Sequence, residues 1–413
     1  MAASIEPLKP ARSYSPPPRT GLSFPAVADE AGNVYWMEWW STPTGNRHAL
    51  VSAAPNGTIR FRVPDDFAFN RALIRGDRVI VGGSDGVAAH ALSDGRRLWS
   101  ENLVNSSGST SAAACSSSSG EGLVLAMSLA ADGTLAVAWS CNAWRDGTLE
   151  LIDVSSGAAL AVTDTRIGAE QMSLDPGALL RVEFHGYRTD AYTATVGPGG
   201  ALSDVSQSSY DAAYGGFWAR EDVSAGTLVE AFTYADGRTA STIPASRAKV
   251  CVVGRETRQL NIALSDHVGF LPEDYSTVDN HSWFQDTRLR GFDPAGRVAP
   301  WQLDLGATVF GSSTLTNQDA LLFDLGLPDG GFALDEVNAS GLSDFVCPYA
   351  GRFRQSPGLT MPPAVLAGGM WVSANELPDG GQEIDAYAVP GLDVAAHGWT
   401  TCGGSNARAG LPR

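Results

Sequence analysis

Lysine is nearly absent from this 413-residue chain: of 28 basic residues only Lys9 and Lys249 are lysines, and the rest are arginines. That bias fits a GC-rich genome and needs no functional cause. The basic residues are outnumbered by 45 acidic ones, for a net charge of −17. A chain so acidic is ill suited to phosphate contacts, which excludes nucleic acid as the expected partner. No apolar run reaches the roughly 18 residues that a transmembrane helix needs. No long segment rich in Ala, Glu, Lys, Leu and Arg is present, which excludes a helical rod. Residues 1–20 contain no apolar signal-peptide stretch. They fit either a cytosolic protein or an exported one whose leader preceded Met1, and export is the expectation.

Chemistry-bearing motifs are equally scarce. The five cysteines, Cys115, Cys141, Cys251, Cys347 and Cys402, form no C-x-x-C pair, which argues against a zinc site. Two disulfides with one free thiol and five free thiols both remain open; the pairs suggested are Cys115–Cys141 and Cys347–Cys402. The six histidines show no H-x-H or H-E-x-x-H spacing and read as surface or strand residues. The turns at Leu327 to Gly331 and at Asp293 to Gly296 lack the alternating oxygen ligands of a calcium loop, and turn stereochemistry explains their Asp and Gly. No metal and no cofactor are expected.

What the chain does have is turns. Its 46 glycines and 23 prolines punctuate short apolar runs, the pattern of an all-β protein. Self-similarity is stronger still. The sixteen residues from Leu327 to Leu342 recur fifty residues later from Leu377 to Leu392, with eight positions identical: both LPDGG runs, Asp335/Asp385, Gly341/Gly391 and Leu342/Leu392. Of the looser copies Ile74 to Trp99 is the cleanest, and others centre on Ala31 to Trp36, Asp132 to Val137 and Arg145 to Leu151. A four-strand unit of about fifty residues describes a β-propeller blade, which buries its faces only by stacking on its neighbours. The reading is one domain, a single β-propeller over 22–398 of about eight four-stranded blades, with seven blades and a long excursion left open. Residues 1–21, with Pro16, Pro17 and Pro18, read as an extended lead-in, 344–359 as an inserted loop, and 399–413 as a tail that closes or caps the ring.

The run from Gly76 to Trp99, GDRVIVGGSDGVAAHALSDGRRLW, resembles the pyrroloquinoline-quinone-type (quinoprotein-like) propeller repeat: strand, Asp-Gly turn, strand, Gly-basic, Leu-Trp. The terminal Trp399 to Gly410 and the lead-in Arg19-Thr20-Gly21 are similar to flanks of secreted bacterial members. The resemblance implies an eight-bladed, usually exported propeller, in a family holding both quinoprotein dehydrogenases and cofactor-free scaffolds such as the barrel-assembly lipoprotein. The chain departs from the enzymes in having one clear Gly-x-x-x-Trp element (Gly95 to Trp99), no adjacent cysteine pair and no haem motif.

Two aromatic groups are candidates for a binding surface. Trp36, Trp39 and Trp40 lie together beside Tyr35 and Glu38; strand alternation puts Trp36 and Glu38 on one face and Tyr35 and Met37 on the other, and blade packing competes with exposure as their role. Tyr275, His281 and Trp283 sit in a polar stretch that reads as a loop, where rigid scaffolds carry function. The functional expectation is a non-catalytic exported binding or scaffold module for a protein or cell-envelope partner. The alternatives are an enzyme with a site in the central funnel, of the quinoprotein oxidoreductase type, and a carbohydrate-binding propeller.

Overall fold

In the computed structural model, residues 8–65, 69–84, 86–103, 122–129, 133–141, 147–164, 171–174, 180–185, 190–196, 202–209, 217–224, 227–233, 238–243, 248–253, 257–259, 263–264, 269–275, 286–292, 298–305, 308–326, 332–349, 365–376 and 381–394 are described. Almost all are strand, and they pair antiparallel into sheets, most of them of four consecutive strands and one, over 257–304, of five. The first sheet comprises Thr20–Ala28, Val34–Thr42, Gly45–Ala53 and Ile59–Asp65. The second runs from Phe69–Arg75 through Arg78–Gly83 and Gly86–Ala91 to Arg97–Asn102, and the third from Leu123–Leu129 to Ala159–Asp164. Three more cover 171–209, 217–253 and 257–304, and the seventh runs from Thr308–Leu315 to Ser343–Pro348. The last combines Val365–Ala367, Met370–Glu376 and Gln382–Ala388 with a strand from the other end of the chain, Arg12–Tyr14.

Composition dictates which strand lies where. Arg78–Gly83 and Gly86–Ala91, RVIVGG and GVAAHA, are buried on both faces almost throughout, as near-continuous runs of small and β-branched residues allow. Arg97–Asn102, RLWSEN, alternates, and only Trp99 is buried. Each sheet meets the next in chain order, and Val365–Ala367 of the last meets Thr20–Ala28 of the first. The core is accordingly split into apolar clusters lying between neighbouring sheets. One joins the second and third sheets through Leu73, Ile80, Val137 and Trp139; another joins the seventh and last through Leu334, Tyr349, Trp371 and Tyr387.

The joints are keyed by a recurrent device. Trp99, on the outer strand of the second sheet, lays its ring on Gly157 in a turn of the third and donates its indole N–H to the Val154 carbonyl at 2.8 Å. A Cβ on Gly157 would sit 2.7 Å from that ring, and its φ of +76° is a left-handed conformation that suits glycine. Trp301 repeats the arrangement on Gly341, donating to the Ala339 carbonyl at 2.9 Å. Between the first and second sheets the two tasks are divided: Phe61 covers Gly95, and Arg60 donates to the Leu92 carbonyl at 2.9 Å. At the closing joint Arg12 lies along Gly57 and donates to the Pro55 carbonyl. The two ends of the Gly95–Trp99 element therefore serve two joints, Gly95 under Phe61 and Trp99 on Gly157, and further joints use Trp301 and Arg12.

Three expectations change. The lead-in is not merely extended, because Arg12, Ser13 and Tyr14 pair with Ala386, Asp385 and Ile384 to complete the last sheet. Ser13 Oγ there donates to Asp385 Oδ1 at 2.5 Å, just as Ser343 Oγ donates at 2.8 Å to Asp335, the repeat equivalent of Asp385. Of the stretch 344–359 expected as an inserted loop, residues 344–348 belong to Ser343–Pro348, the outer strand of the seventh sheet, and 350–359 lie outside the described residues. Cys347 lies on that strand opposite Leu334 as a free, half-buried thiol, so the expected Cys347–Cys402 bridge is not formed. Burial and the Asp335 carboxylate push that thiol's pKa up. Cys141 is disulfide-bonded; Cys115 and Cys402 lie outside the described residues, as do 327–331, 377–380 and 399–413.

Candidate functional site

The Val34–Thr42 strand, VYWMEWWST, alternates its large side chains between two joints of the ring. Tyr35 and Met37 pack towards the second sheet with Leu50, Val79 and Val81. Tyr35 Oη donates to Asp29 Oδ2 at 2.8 Å and accepts from Arg60 at 2.9 Å. Burial, followed by the Asp29 hydrogen bond, pushes the phenol up to about 12. On the other face Trp36 and Glu38 point towards the last sheet. Trp36 is buried with its ring 5.3 Å from that of Tyr14, and its indole nitrogen has no hydrogen-bond partner among the described residues.

Glu38 is fully buried, yet it accepts from Tyr14 Oη and from Arg62 Nε, both at 2.7 Å. A carboxylate in such a place requires donors of this kind. Burial and the Glu38 hydrogen bond raise the Tyr14 pKa. The Arg62 guanidinium then covers the Trp40 ring at 4.6 Å from its centroid, within cation–π range. Trp39, on the opposite face, is 40% exposed and lies against Gly21, where a Cβ would run into its indole. Of the three expected tryptophans, Trp36 is thus core while Trp39 and Trp40 form an outer end with Arg62 and Arg47, the residue paired directly with Trp40. The arginines were missed because nothing local in the sequence links Arg62 to Trp40; only the strand register does. Tyr275 ends the strand Gly269–Tyr275, in register with Thr257; His281 and Trp283 lie outside the described residues.

At the opposite end of the same joint, a small cleft opens between the first and last sheets, lined by Trp36, Ala53, Pro55, Met370 and Ile384 with Arg12. One joint further back, buried polar groups form a chain. Asp324 accepts from the Trp371 indole at 2.9 Å and from the Tyr349 hydroxyl; the Tyr349 and Tyr387 rings are 4.5 Å apart; Tyr387 Oη donates to Asp385 at 3.2 Å, which also takes 2.6 Å from Asn375. Burial raises the Asp324 carboxyl to about 6, against the lowering effect of its donors.

His90 is a buried strand residue, with Nε2 2.7 Å from Asp65 and Nδ1 3.0 Å from the Gly95 carbonyl, so it ties a turn to the neighbouring sheet. Gly82 to Gly86 spells G-x-S-x-G, but the strands on either side of it pair antiparallel as a hairpin rather than forming the strand-to-helix elbow of a hydrolase. Among the described residues no three His, Cys, Asp or Glu side chains gather as a metal site. Nor, among them, is any helix long and apolar enough to cross a membrane.

These sheets define a β-propeller. No protein-family model matches the sequence, and no curated protein matches it. Solved structures do. The quinohemoprotein alcohol dehydrogenase ADHIIG of Pseudomonas putida HK5 is similar at a TM-score of 0.57 and 11% identity, over 95% of this chain and 77% of that one. The Pan2 WD40 domain of Neurospora crassa is similar at 0.50 and 12%, over 94% and 96%. At such identities the likeness establishes the fold, a propeller shared with quinoproteins, and nothing about activity.

Proposed function

We propose that the chain is an eight-bladed, exported, non-catalytic β-propeller that holds a protein or cell-envelope partner. The blade count rests on the eight four- or five-strand sheets among the described residues and on the contact between the last and the first. The functional reading is carried by one observation: the outer end of the first sheet presents the exposed Trp39 and the Arg62-covered Trp40 on a ring whose joints are locked by docked side chains. Tryptophan and arginine on a rigid support are the residues that most often anchor protein interfaces. The alternating strand Val34–Thr42 fixes both indoles, so little side-chain freedom is lost on binding.

The test is affinity capture from envelope and secreted fractions at low and moderate salt, with wild type beside the double variant Trp39→Ala, Trp40→Ala. A stoichiometric protein retained by wild type at both salts and lost by the variant is the expected result. A capture that is empty with wild type, or equal for the two proteins, overturns the reading.

A further inference from the structure

We propose that the Trp39–Trp40 end of the first sheet is a docking surface for an acidic peptide segment of a partner protein. This rests on the binding-module reading above and names the chemistry of what is bound. The motivating contrast is local. The chain carries −17 overall, yet the groups gathered here are cationic. Arg47 is exposed and paired with Trp40 across the strands; Arg62 stacks on the Trp40 ring; Arg19 is exposed beside Thr20, which pairs with Trp40 from the other side. The carboxylates on these strands are already engaged and buried, Glu38 by Tyr14 and Arg62, and Asp65 by His90. Arg19 and Arg47 have no carboxylate partner among the described residues.

Arg19 is also held in place at a conformational cost. Its φ of +64° is a left-handed value that few side-chain-bearing residues adopt. It sits in a turn after Pro17 and Pro18, closed by the Thr20 N–H donating to the Pro17 carbonyl at 3.1 Å. The two prolines fix the backbone on its N-terminal side, so the turn presents a positioned cation.

Geometry favours a peptide over a sugar or a nucleic acid. A sugar ring needs an open indole face with hydrogen-bonding groups around it. Here one face of Trp40 is covered by a guanidinium and one face of Trp39 by the backbone at Gly21, and the exposed charged groups beside them, on Arg19 and Arg47, are guanidinium forks shaped for carboxylates. A long polyphosphate meets the field of the whole acidic molecule. A short segment meets chiefly this patch, because charges more than about 8 Å apart are largely screened at physiological ionic strength. Across four strands about 4.8 Å apart the patch spans roughly 14 Å, the length of about four extended residues. Acidic residues alternating along an extended strand then face Arg19, Arg47 and Arg62 together.

The test uses the full chain and a fluorophore-labelled peptide of alternating glutamate and threonine, followed by anisotropy at low salt and with added sodium chloride. The matching lysine–threonine peptide and an oligogalacturonate are run alongside. The variants are Arg47→Glu, Trp39→Ala and, as a charge-matched control on the second sheet, the exposed Arg96→Glu; circular dichroism checks that each folds. The glutamate peptide is expected to bind, more weakly as salt rises. Arg47→Glu and Trp39→Ala are expected to weaken it roughly tenfold or more, and Arg96→Glu to leave it unchanged. Equal losses in Arg47→Glu and Arg96→Glu show an effect of net charge and overturn the proposal. So does binding of the oligogalacturonate or the lysine peptide in preference, or no binding at all. A partner captured as above by both wild type and Arg47→Glu sinks this surface chemistry while leaving the binding-module reading standing.

Discussion

At the residue scale, the docking joints explain why a few side chains in loose turns matter more than their positions suggest. Trp99 makes two separable contributions, a ring buried against Gly157 and an indole N–H given to Val154. Val154 O also accepts from Arg78 at 2.6 Å, so losing the indole donor leaves that carbonyl partnered. Trp99→Phe is therefore expected to cost only about 1 kcal/mol, one net hydrogen bond. Trp99→Ala empties the joint and is expected to cost about 3–5 kcal/mol. Denaturant unfolding of the two variants checks this; equal losses would mean the ring contributes nothing beyond its hydrogen bond. The sequence made Trp99 legible because Gly95 to Trp99 carries the Gly-x-x-x-Trp spacing. It hid the others for specific reasons. Phe61 follows Gly57 at the same spacing but is not a tryptophan, and its hydrogen-bonding task passed to Arg60. Trp301 follows Gly296 one residue further along, beyond a proline.

At the scale of the strand, the fold was legible wherever pairing is local. Hairpins leave Asp-Gly and Asn-Gly letters in the sequence, and the glycines of such pairs, Gly57, Gly95 and Gly133, do adopt positive φ. Ring closure leaves none. Ser13 meets Asp385 across 372 residues, and a three-residue strand among prolines has no periodicity to read. Glu38, in turn, looked like a flanking residue rather than the acceptor for Tyr14, because the Arg12–Tyr14 strand that brings the phenol to it was not legible. Closure by so short a strand has a measurable consequence. Deleting residues 1–15 removes the pairing with Ile384–Ala386, the Ser13–Asp385 and Tyr14–Glu38 bonds and the Arg12 contact with Pro55. At roughly 1 kcal/mol for each part-buried bond, the truncated protein is expected to lose on the order of 3–5 kcal/mol and to melt at a lower temperature. A synthetic peptide of residues 8–18 is expected to restore the midpoint in a concentration-dependent way, since it binds only the folded ring. An unchanged midpoint after truncation would show that the strand does not close the ring.

For the whole molecule the balance is between a heavily acidic surface, whose self-repulsion opposes compaction, and a seam that keeps carboxyl groups out of water. Asp324 sits in that seam between the seventh and last sheets, buried, with an indole and a phenol as donors and no cation among the hydrogen bonds described for it. Its carboxyl is raised from 3.8 to about 6 by burial. The folded ring therefore binds this proton more tightly than the unfolded chain does. The stabilisation is fully present below pH 3.8 and is lost as pH rises through about 6. Asp335 is raised by burial too and acts in the same direction. Other acids titrate over the same range, so the observable is a difference. Thermal midpoints of wild type and Asp324→Asn are measured across this window. The isosteric amide keeps an oxygen for the Tyr349 and Trp371 donors and does not ionise. Wild type is expected to lose stability relative to the variant as pH rises, by an amount on the order of 3 kcal/mol over the window. Parallel curves would mean that Asp324 has the same proton affinity folded and unfolded, and that the seam tolerates its charge. A diverging pair would place a proton-dependent closure at the joint where the two best-matched repeats of the chain meet.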